Sequence, residues 1–502
     1  MAMETSMRKN ARRMEATEGG GGGDRQRIRR RPRSSRLLGV ETNNRGVGGV
    51  GGVGGDGGGG GARAFPPSPQ EWSELYDLGN FSSLGRRTVS TNPCTGMDQF
   101  LQVALLARTE AIARQSNFIF SPLSLRAALA LLPAGTKGET LRQLLAFLGS
   151  QELRQLKAAN AGLIAEMRAW PQLSSAACIF ADKSLVLRPE FVSTAASAHK
   201  AYAKSLDFQN QPEAAAAEVN ALITHATRGR LRNIVSPDSF NGGDAKIVLA
   251  NAMHFRATWA RRFDPSDTVH DDFHRLGGGG TDVRVPFLSD PGMQYATSFA
   301  GLGFKVLQCF YKTVGRDGRL SRDAPCFSML VFLPHRRDGL AGLLRLAATE
   351  PDFVMRCVPR REQVVSPCMI PKFKFCFKFD ARAALRWLGL AAPFEPSDAD
   401  LSGMVSNMPE LGMYVSSMQQ LGAVEVDEEG TTAVGATYTA TSPGYGGPPP
   451  GPPPPPPMSF VADHPFMFAI VEYGSAEVLF SATSWTRPKS CDFLSDQPID
   501  DW

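Results

Sequence analysis

Eight cysteines spread over 502 residues form no Cys-x-x-Cys pair, so the usual spacing of zinc knuckles and thioredoxin-type redox sites is missing. Their scatter is unlike a disulfide framework and predicts mostly reduced thiols in a cytoplasmic or nuclear setting. No basic patch followed by an apolar run and a small-residue cleavage site opens the chain, so no secretory leader is expected. No apolar run reaches the length of a membrane span. An excess of one charge is lacking too: 54 Lys and Arg face 49 Asp and Glu, intermixed along the central region, which does not argue for nucleic acid. The motifs H-E-x-x-H, G-x-S-x-G and G-x-x-x-x-G-K-[ST] are absent. The catalytic set is therefore expected to be empty, with no metal and no cofactor. His270 and His274 stand four apart, a zinc spacing on a helix, but their neighbours are strand-like and no metal is predicted there.

Glycine and proline are plentiful, and both sit in tracts. Residues 1–92 carry polyglycine runs and few large apolar groups, too little to offset the entropy of ordering, and are expected to be a disordered extension. Within it Arg25–Arg36 is a basic patch, read as a solvated run or a nuclear-import or polyanion contact. Asn80-Phe81-Ser82 is a glycosylation acceptor by pattern only. Residues 446–457 end in six consecutive prolines, a stiff polyproline II spacer or a ligand for SH3, WW or profilin-like modules. Residues 489–502 read as a loose acidic tail.

Between these tracts the pattern is that of a mixed helix-and-strand domain. Phe100, Leu101, Ala104, Leu105, Ala111 and Ile112 recur at helical spacing. Asn117–Leu125 reads as a short buried strand ending in Ser121-Pro122, a helix start, and the helix should stop near Gly135. Another helix begins at Lys137. Strands are expected over Ile179–Leu187, Lys246–Phe255 (with Asn251 its single buried polar residue), Phe304–Gln308, Phe327–Leu333 and Met369–Phe375. Helices are expected from Pro189 and over Ala381–Leu388.

The stretch that organises the chain is Glu425–Pro443. Glu425, Asp427, Glu428 and Glu429 form an acidic end expected to be solvated and turn-like. Gly430 supplies backbone freedom for a hinge. The twelve residues from Thr431 to Ser442 hold no charge and no proline, and every second one is small or β-branched. Such a segment can be buried as a strand but has no large apolar group to hold it in a core.

Glu425-Val-Asp-Glu-Glu-Gly-Thr431, followed by small residues, resembles the reactive-loop hinge of serpins, plant serpins above all. Phe460–Phe466, Ser121-Pro-Leu-Ser124, Leu131–Thr140 and Phe255-Arg-Ala-Thr-Trp259 are similar to other segments of that family, in the same order. The resemblance spans residues 95–488. It implies a mixed α/β serpin fold with three sheets, about eight or nine helices and an exposed reactive-centre loop. The domain would cover 93–488, with the loop over 428–458 and the proline insert at 446–457. It implies no enzyme but a suicide-substrate inhibitor of a serine or cysteine protease, a monomer whose cleaved loop enters the main sheet as a new strand. An extracellular location is also compatible with the family. Hinge residues by this analogy are Glu429, Gly430, Thr431, Thr432, Ala433, Val434, Gly435 and Ala436. Spacing from Gly430 sets the scissile bond after Gly444, with Tyr445 the alternative. The sheet-opening polar cluster would be Ser121, Ser124, Asn251 and Gln420. The family's His-Lys pair before the hinge is here Gln420-Leu421, and its Phe-x-Gly-x-Val is Phe480-Ser-Ala-Thr-Ser484. These departures, with a glycine at the scissile position, leave open a non-inhibitory serpin acting as a binding or scaffold protein.

Overall fold

Ser121-Pro122 does what its chemistry dictates. In a computed structural model of the chain, β1 (Phe118–Phe120) runs directly into α1 (Pro122–Leu129), and the Ser121 hydroxyl accepts the Ser124 N–H at 3.2 Å. Proline stands at the first helical position, where no N–H is needed. The structure describes residues 100, 103–104, 117–240, 247–275, 282–315, 319, 324–407, 412–431 and 456–484, all within one unit, Ala62–Trp502. The extension, most of the first expected helix, hinge residues Thr432–Ala436, Gly444, Tyr445, most of the proline insert and the acidic tail lie outside the described residues.

After α1 come α2 (Gly138–Phe147), α3 (Leu153–Ala169), β2 (Leu173–Asp182), α4 (Pro189–Ala198), β3 (Tyr202–Leu206) and α5 (Pro212–Ala226). Then follow β4 (Ile247–Phe255), β5 (Ala257–Thr258), β6 (Val269–Phe273), β7 (Val283–Ser289), β8 (Gly292–Phe299), β9 (Phe304–Phe310), β10 (Phe327–Pro334), α6 (Leu340–Thr349) and α7 (Phe353–Arg356). The chain closes with β11 (Glu362–Pro371), β12 (Phe373–Asp380), α8 (Arg382–Trp387), β13 (Val415–Val426), β14 (Gly430–Thr431), β15 (Met458–Val461), β16 (Phe466–Glu472) and β17 (Glu477–Ser484). Among the described residues three sheets result: a ten-stranded one, a five-stranded one in the order β12-β13-β4-β2-β3, and the ribbon β14-β5. Eight α-helices lie among the described residues.

Most expected elements stand where periodicity set them, and the shifts have local causes. The strand expected over Ile179–Leu187 starts at Leu173 and stops at Asp182, whose carboxylate accepts the Ser184 N–H and closes a turn. The single strand expected over Met369–Phe375 divides at Lys372, with β11 in the large sheet and β12 in the five-stranded one. Residues 132–135 form a short 3-10 turn after α1 instead of extending the helix. Asn251 is not the only buried polar residue on β4, because His254 is buried as well.

The core lies where β12 alternates Phe373, Phe375, Phe377 and Phe379 inward. Phe377 and Phe379 pack on Phe118 and Phe120 with ring centroids 5.2–6.4 Å apart, and Phe373 lies 5.1 Å from Phe468. These aromatic contacts tie the two sheets together. On the opposite face of the five-stranded sheet, α5 covers a second cluster that includes Val219, Ile223, Val248, Ala250, Ala252, Leu421 and Ala423.

One buried pair makes this fold pH-sensitive. Glu472 and Glu477 face each other across the β16–β17 hairpin. Burial, with repulsion from Glu166 and Glu472, pushes the Glu477 carboxyl up despite Arg126 at 3.3 Å. A carboxyl raised in the folded state favours folding when protonated, and that advantage disappears as pH climbs past its unfolded pKa towards its folded one. Glu477→Gln removes the dependence. Urea melts from pH 4 to pH 8 should show the variant's stability relative to the parent shifting in the variant's favour as pH rises; a pH-independent difference contradicts the assignment.

Candidate functional site

Within the five-stranded sheet, β13 runs antiparallel to β12, and β4 antiparallel to β2, yet β13 and β4 pair parallel from Val415↔Ile247 to Ala423↔His254. Parallel pairing is slightly weaker per residue than antiparallel. A strand running against both would convert this one parallel seam into two antiparallel pairs. The other parallel pair, β2–β3, is bridged by its own crossover helix, α4. The β13–β4 seam has no such closure, and the chain that leaves β13 turns straight back over its end.

That turn is built by Asp427. Its N–H donates to the Gly430 carbonyl, and its carboxylate accepts the N–H groups of Glu429 and Gly430, all at 3.0 Å. The two-residue turn Glu428-Glu429 delivers β14 onto β5, antiparallel, as Gly430↔Thr258 and Thr431↔Ala257. Backbone contact here is close: a Cβ on residue 430 would lie 2.2 Å from the Ala257 carbonyl oxygen and 2.6 Å from the Thr258 Cα. Glycine is required here by proximity and by its φ of 157° together.

The acidic end is not solvated as expected. Glu428 pairs with Lys372 at 2.7 Å and accepts from the Thr268 hydroxyl at 2.9 Å. Burial opposes its charge, but these bonds and the Lys372 ammonium hold its carboxyl below the usual range. Asp427 is pushed the other way by burial, against the two turn N–H groups it accepts. Trp259, itself buried, completes the latch: its indole N–H donates to the Asp427 carbonyl and its backbone N–H to the Glu429 carbonyl, both at 2.9 Å. Phe263 N–H donates to the Glu428 carbonyl at 3.0 Å. Lys372 and Thr268 carried no site signal in sequence, and Trp259 and Phe263 were visible only through the family resemblance.

Midway along the seam the structure brings together the expected polar cluster. Gln420 and Asn251 are register partners. Gln420 Nε2 donates to the Ser121 carbonyl at 2.9 Å and Asn251 Nδ2 to the Ser124 carbonyl at 2.6 Å. Ser121 also donates its hydroxyl to Met253 Sδ at 3.1 Å. Both amides thus spend their N–H groups on the start of α1. Their carbonyl oxygens, Gln420 Oε1 and Asn251 Oδ1, are buried with no hydrogen-bond partner among the described residues.

Residues 98–485 match the family model described as Serpin (serine protease inhibitor). The chain belongs to the serpin family. A rice (Oryza sativa subsp. japonica) protein named "Putative non-inhibitory serpin-10" is 66% identical over 386 residues, which cover 76% of this chain and 97% of that protein. Barley (Hordeum vulgare) Serpin-Z7 is 37% identical over 76% of this chain and 92% of its own length. The solved Arabidopsis AtSerpin1 structure, titled as the native stressed conformation, superposes with TM-score 0.66 at 31% identity, covering 79% of this chain and 98% of that one.

The other reactive groups of this serpin are placed differently. His270 lies exposed on β6, an extended strand, so the helical zinc spacing does not form. His274 sits instead beside Asp282 at 2.9 Å. Burial pushes the Cys178, Cys357 and Cys368 thiols up to about 12, leaving no activated thiol among these three. Among the described cysteines Cys178, Cys309, Cys326, Cys357 and Cys368 are free thiols and Cys376 is disulfide-bonded, in keeping with mostly reduced cysteines. No helix among the described residues is long and apolar enough to cross a membrane.

The latch is measurable. In a double-mutant cycle of Lys372→Met and Glu428→Gln, denaturant melts should give a coupling of about 1–2 kcal/mol, moderate because Lys372 is partly exposed. Additive losses would mean that the pair holds nothing.

Proposed function

We propose that this serpin is a suicide-substrate inhibitor of an endopeptidase, its cleaved reactive loop entering the β13–β4 seam as a sixth central strand. One observation carries the reading: two independent registers agree. The Asp427–Gly430 turn fixes one, against β13, and β14–β5 fixes the other, against β4. Continuing both along an inserted strand brings residue 437 between Gln420 and Asn251, which are already partners across the closed seam. Residue 435 arrives beside Gly422, where a Cβ would already lie 3.2 Å from the Ile119 carbonyl oxygen. The inserting residue there is also glycine. Ala433, Gly435, Thr437 and Thr439 then share the inward face with Gln420, and Val434 and Ala436 point outward.

The chemistry belongs to the target. A protease serine attacks the scissile carbonyl and forms an acyl-enzyme, and insertion must outrun hydrolysis of that ester. What this chain supplies is a bait bond, at Gly444 or Tyr445, and a sheet with a vacancy of matching register. Thr437 brings one hydroxyl donor to the level of two unpartnered acceptors and would satisfy one of them, relieving a buried cost of about 1–3 kcal/mol.

A second reading is favoured by the printed name of the rice relative, "Putative non-inhibitory serpin-10". In it the protein is a non-inhibitory serpin that binds or scaffolds through its surface, the proline tract included. Gly444 offers no side chain to a specificity pocket, in keeping with that reading. Incubation with trypsin-, chymotrypsin- and elastase-like serine proteases separates the two. An SDS-stable complex of the summed mass, abolished by Gly435→Glu, is the outcome expected of an inhibitor. Quantitative loop cleavage with no complex from any of them assigns the non-inhibitory reading.

A further inference from the structure

The face of the ten-stranded sheet turned away from β12 is roofed at one end and bare at the other. Phe353 of α7 packs on Phe304 and Phe332, with ring centroids 5.7 Å apart in both pairs, and covers the end where β9 begins. Farther along β9, on the same face, Phe310 is only partly buried. It meets Tyr295 of β8 edge-on at 5.2 Å and stacks on Tyr473, just past β16, at 6.3 Å. Ser328, the β10 partner of Phe310, donates its hydroxyl to the Tyr473 Oη at 3.2 Å and steadies that ring. Two residues before Tyr295, Met293 is 49% exposed, and its register partner on β11, Val364, is 52% exposed. Val364, Met293, Tyr295, Phe310 and Tyr473 thus form one apolar and aromatic stripe from β11 across β8, β9 and β10 to β16. Single exposed apolar side chains need no explanation; a contiguous stripe marks an interaction surface.

The chain carries a matching ligand of its own. Six consecutive prolines, Pro452–Pro457, end where β15 begins. Met458, the next residue, is the register partner of Val365, whose neighbour Val364 opens the stripe. Pro456 and Pro457, the described members of the run, are exposed. We propose that Pro452–Pro457 dock along this stripe of the same chain as a polyproline II helix. Proline-rich segments seat in aromatic-lined grooves, and a run already held in polyproline II loses little entropy on docking. The lengths agree. Four strand spacings of about 4.8 Å separate β11 from β16, about 19 Å in all, and six residues at about 3.1 Å each span about 19 Å. Glu362, the β11 partner of Tyr295, borders the stripe, and the uncharged run has nothing for it to repel. Attachment beside the stripe makes the encounter intramolecular, which favours the chain's own run over the same run on another molecule. Docking would anchor the reactive loop on its C-terminal side, and it depends on neither reading of the function.

Fluorescence anisotropy of a labelled hexaproline peptide tests the assignment, using the full chain and a full chain in which Pro452–Pro457 are replaced by glycine and serine. The replaced chain should bind the peptide saturably. The parent should bind it about tenfold more weakly, because a tethered run at a local concentration of about a millimolar competes with a peptide of about 100 μM affinity. Adding Met293→Glu with Val364→Lys to the replaced chain should weaken binding about tenfold or more; both side chains are exposed and the new cross-strand pair is of opposite charge, so the sheet is kept. Thermal melts establish that each variant is folded. Absence of saturable binding to the replaced chain, or unchanged affinity in the double variant, overturns the site. Equal affinity of parent and replaced chain overturns the tethered occupant. A parent dimer in sedimentation that is lost on replacing the run assigns the stripe to a second copy and overturns it as well.

Discussion

One parallel pairing governs this molecule. β13 and β4 lie side by side in the same direction in the middle of the five-stranded sheet, and a parallel pair flanked by antiparallel neighbours is a place where a further strand gains two good ladders at the expense of one weaker one. Strands β2 and β3 are parallel as well, but their connecting helix fills the crossover. At the β13–β4 seam the available strand is the chain's own continuation, already turned back by Asp427 and already paired for two residues on β5. Under the proposed insertion, that continuation is the strand that would enter the seam.

Closure then needs explaining, and the contacts around the hinge explain it. The Glu428–Lys372 ion pair, the two hydrogen bonds from Trp259 and the close seating of Gly430 on Ala257 and Thr258 fix the first residues of the returning strand at the mouth of the seam. Farther along, Gln420 and Asn251 clasp the start of α1 through their amide N–H groups, and α5 lies across the outer face. Each contact is modest; together they hold β13 against β4 along its length. The unpartnered oxygens of Gln420 and Asn251 are a weakness built into that clasp, and they mark the level at which a donor from a new strand would be welcome.

Much of this was legible in the sequence, and what was not has a physical reason. The buried strand and capped helix at Asn117–Leu129 and the apolar β4 announce themselves through period and capping chemistry. The polar cluster was reached through resemblance and came together as four residues from three separate elements, which no local pattern encodes. Sequence failed where charge met burial. Glu428 and Asp427 look like a solvated acidic turn, since nothing local tells that Lys372 and Trp259 will close over them. Gly430 reads as a hinge in sequence, and its close seating on β5 is visible only in the fold. The division of 369–375 between two sheets at Lys372 was likewise invisible, because both halves have strand character.

The vacancy itself can be interrogated without any target enzyme. Nicking the reactive loop by limited proteolysis, then comparing the melting temperature of the nicked and uncut protein along with hydrogen exchange of the β4 and β13 amides, reads the seam directly. The account predicts a melting point higher by about ten degrees or more, as several kcal/mol of added strand pairing requires for a domain of this size, and slowed exchange confined to residues 247–255 and 415–426. Equal melting points with unchanged exchange in both strands would contradict it.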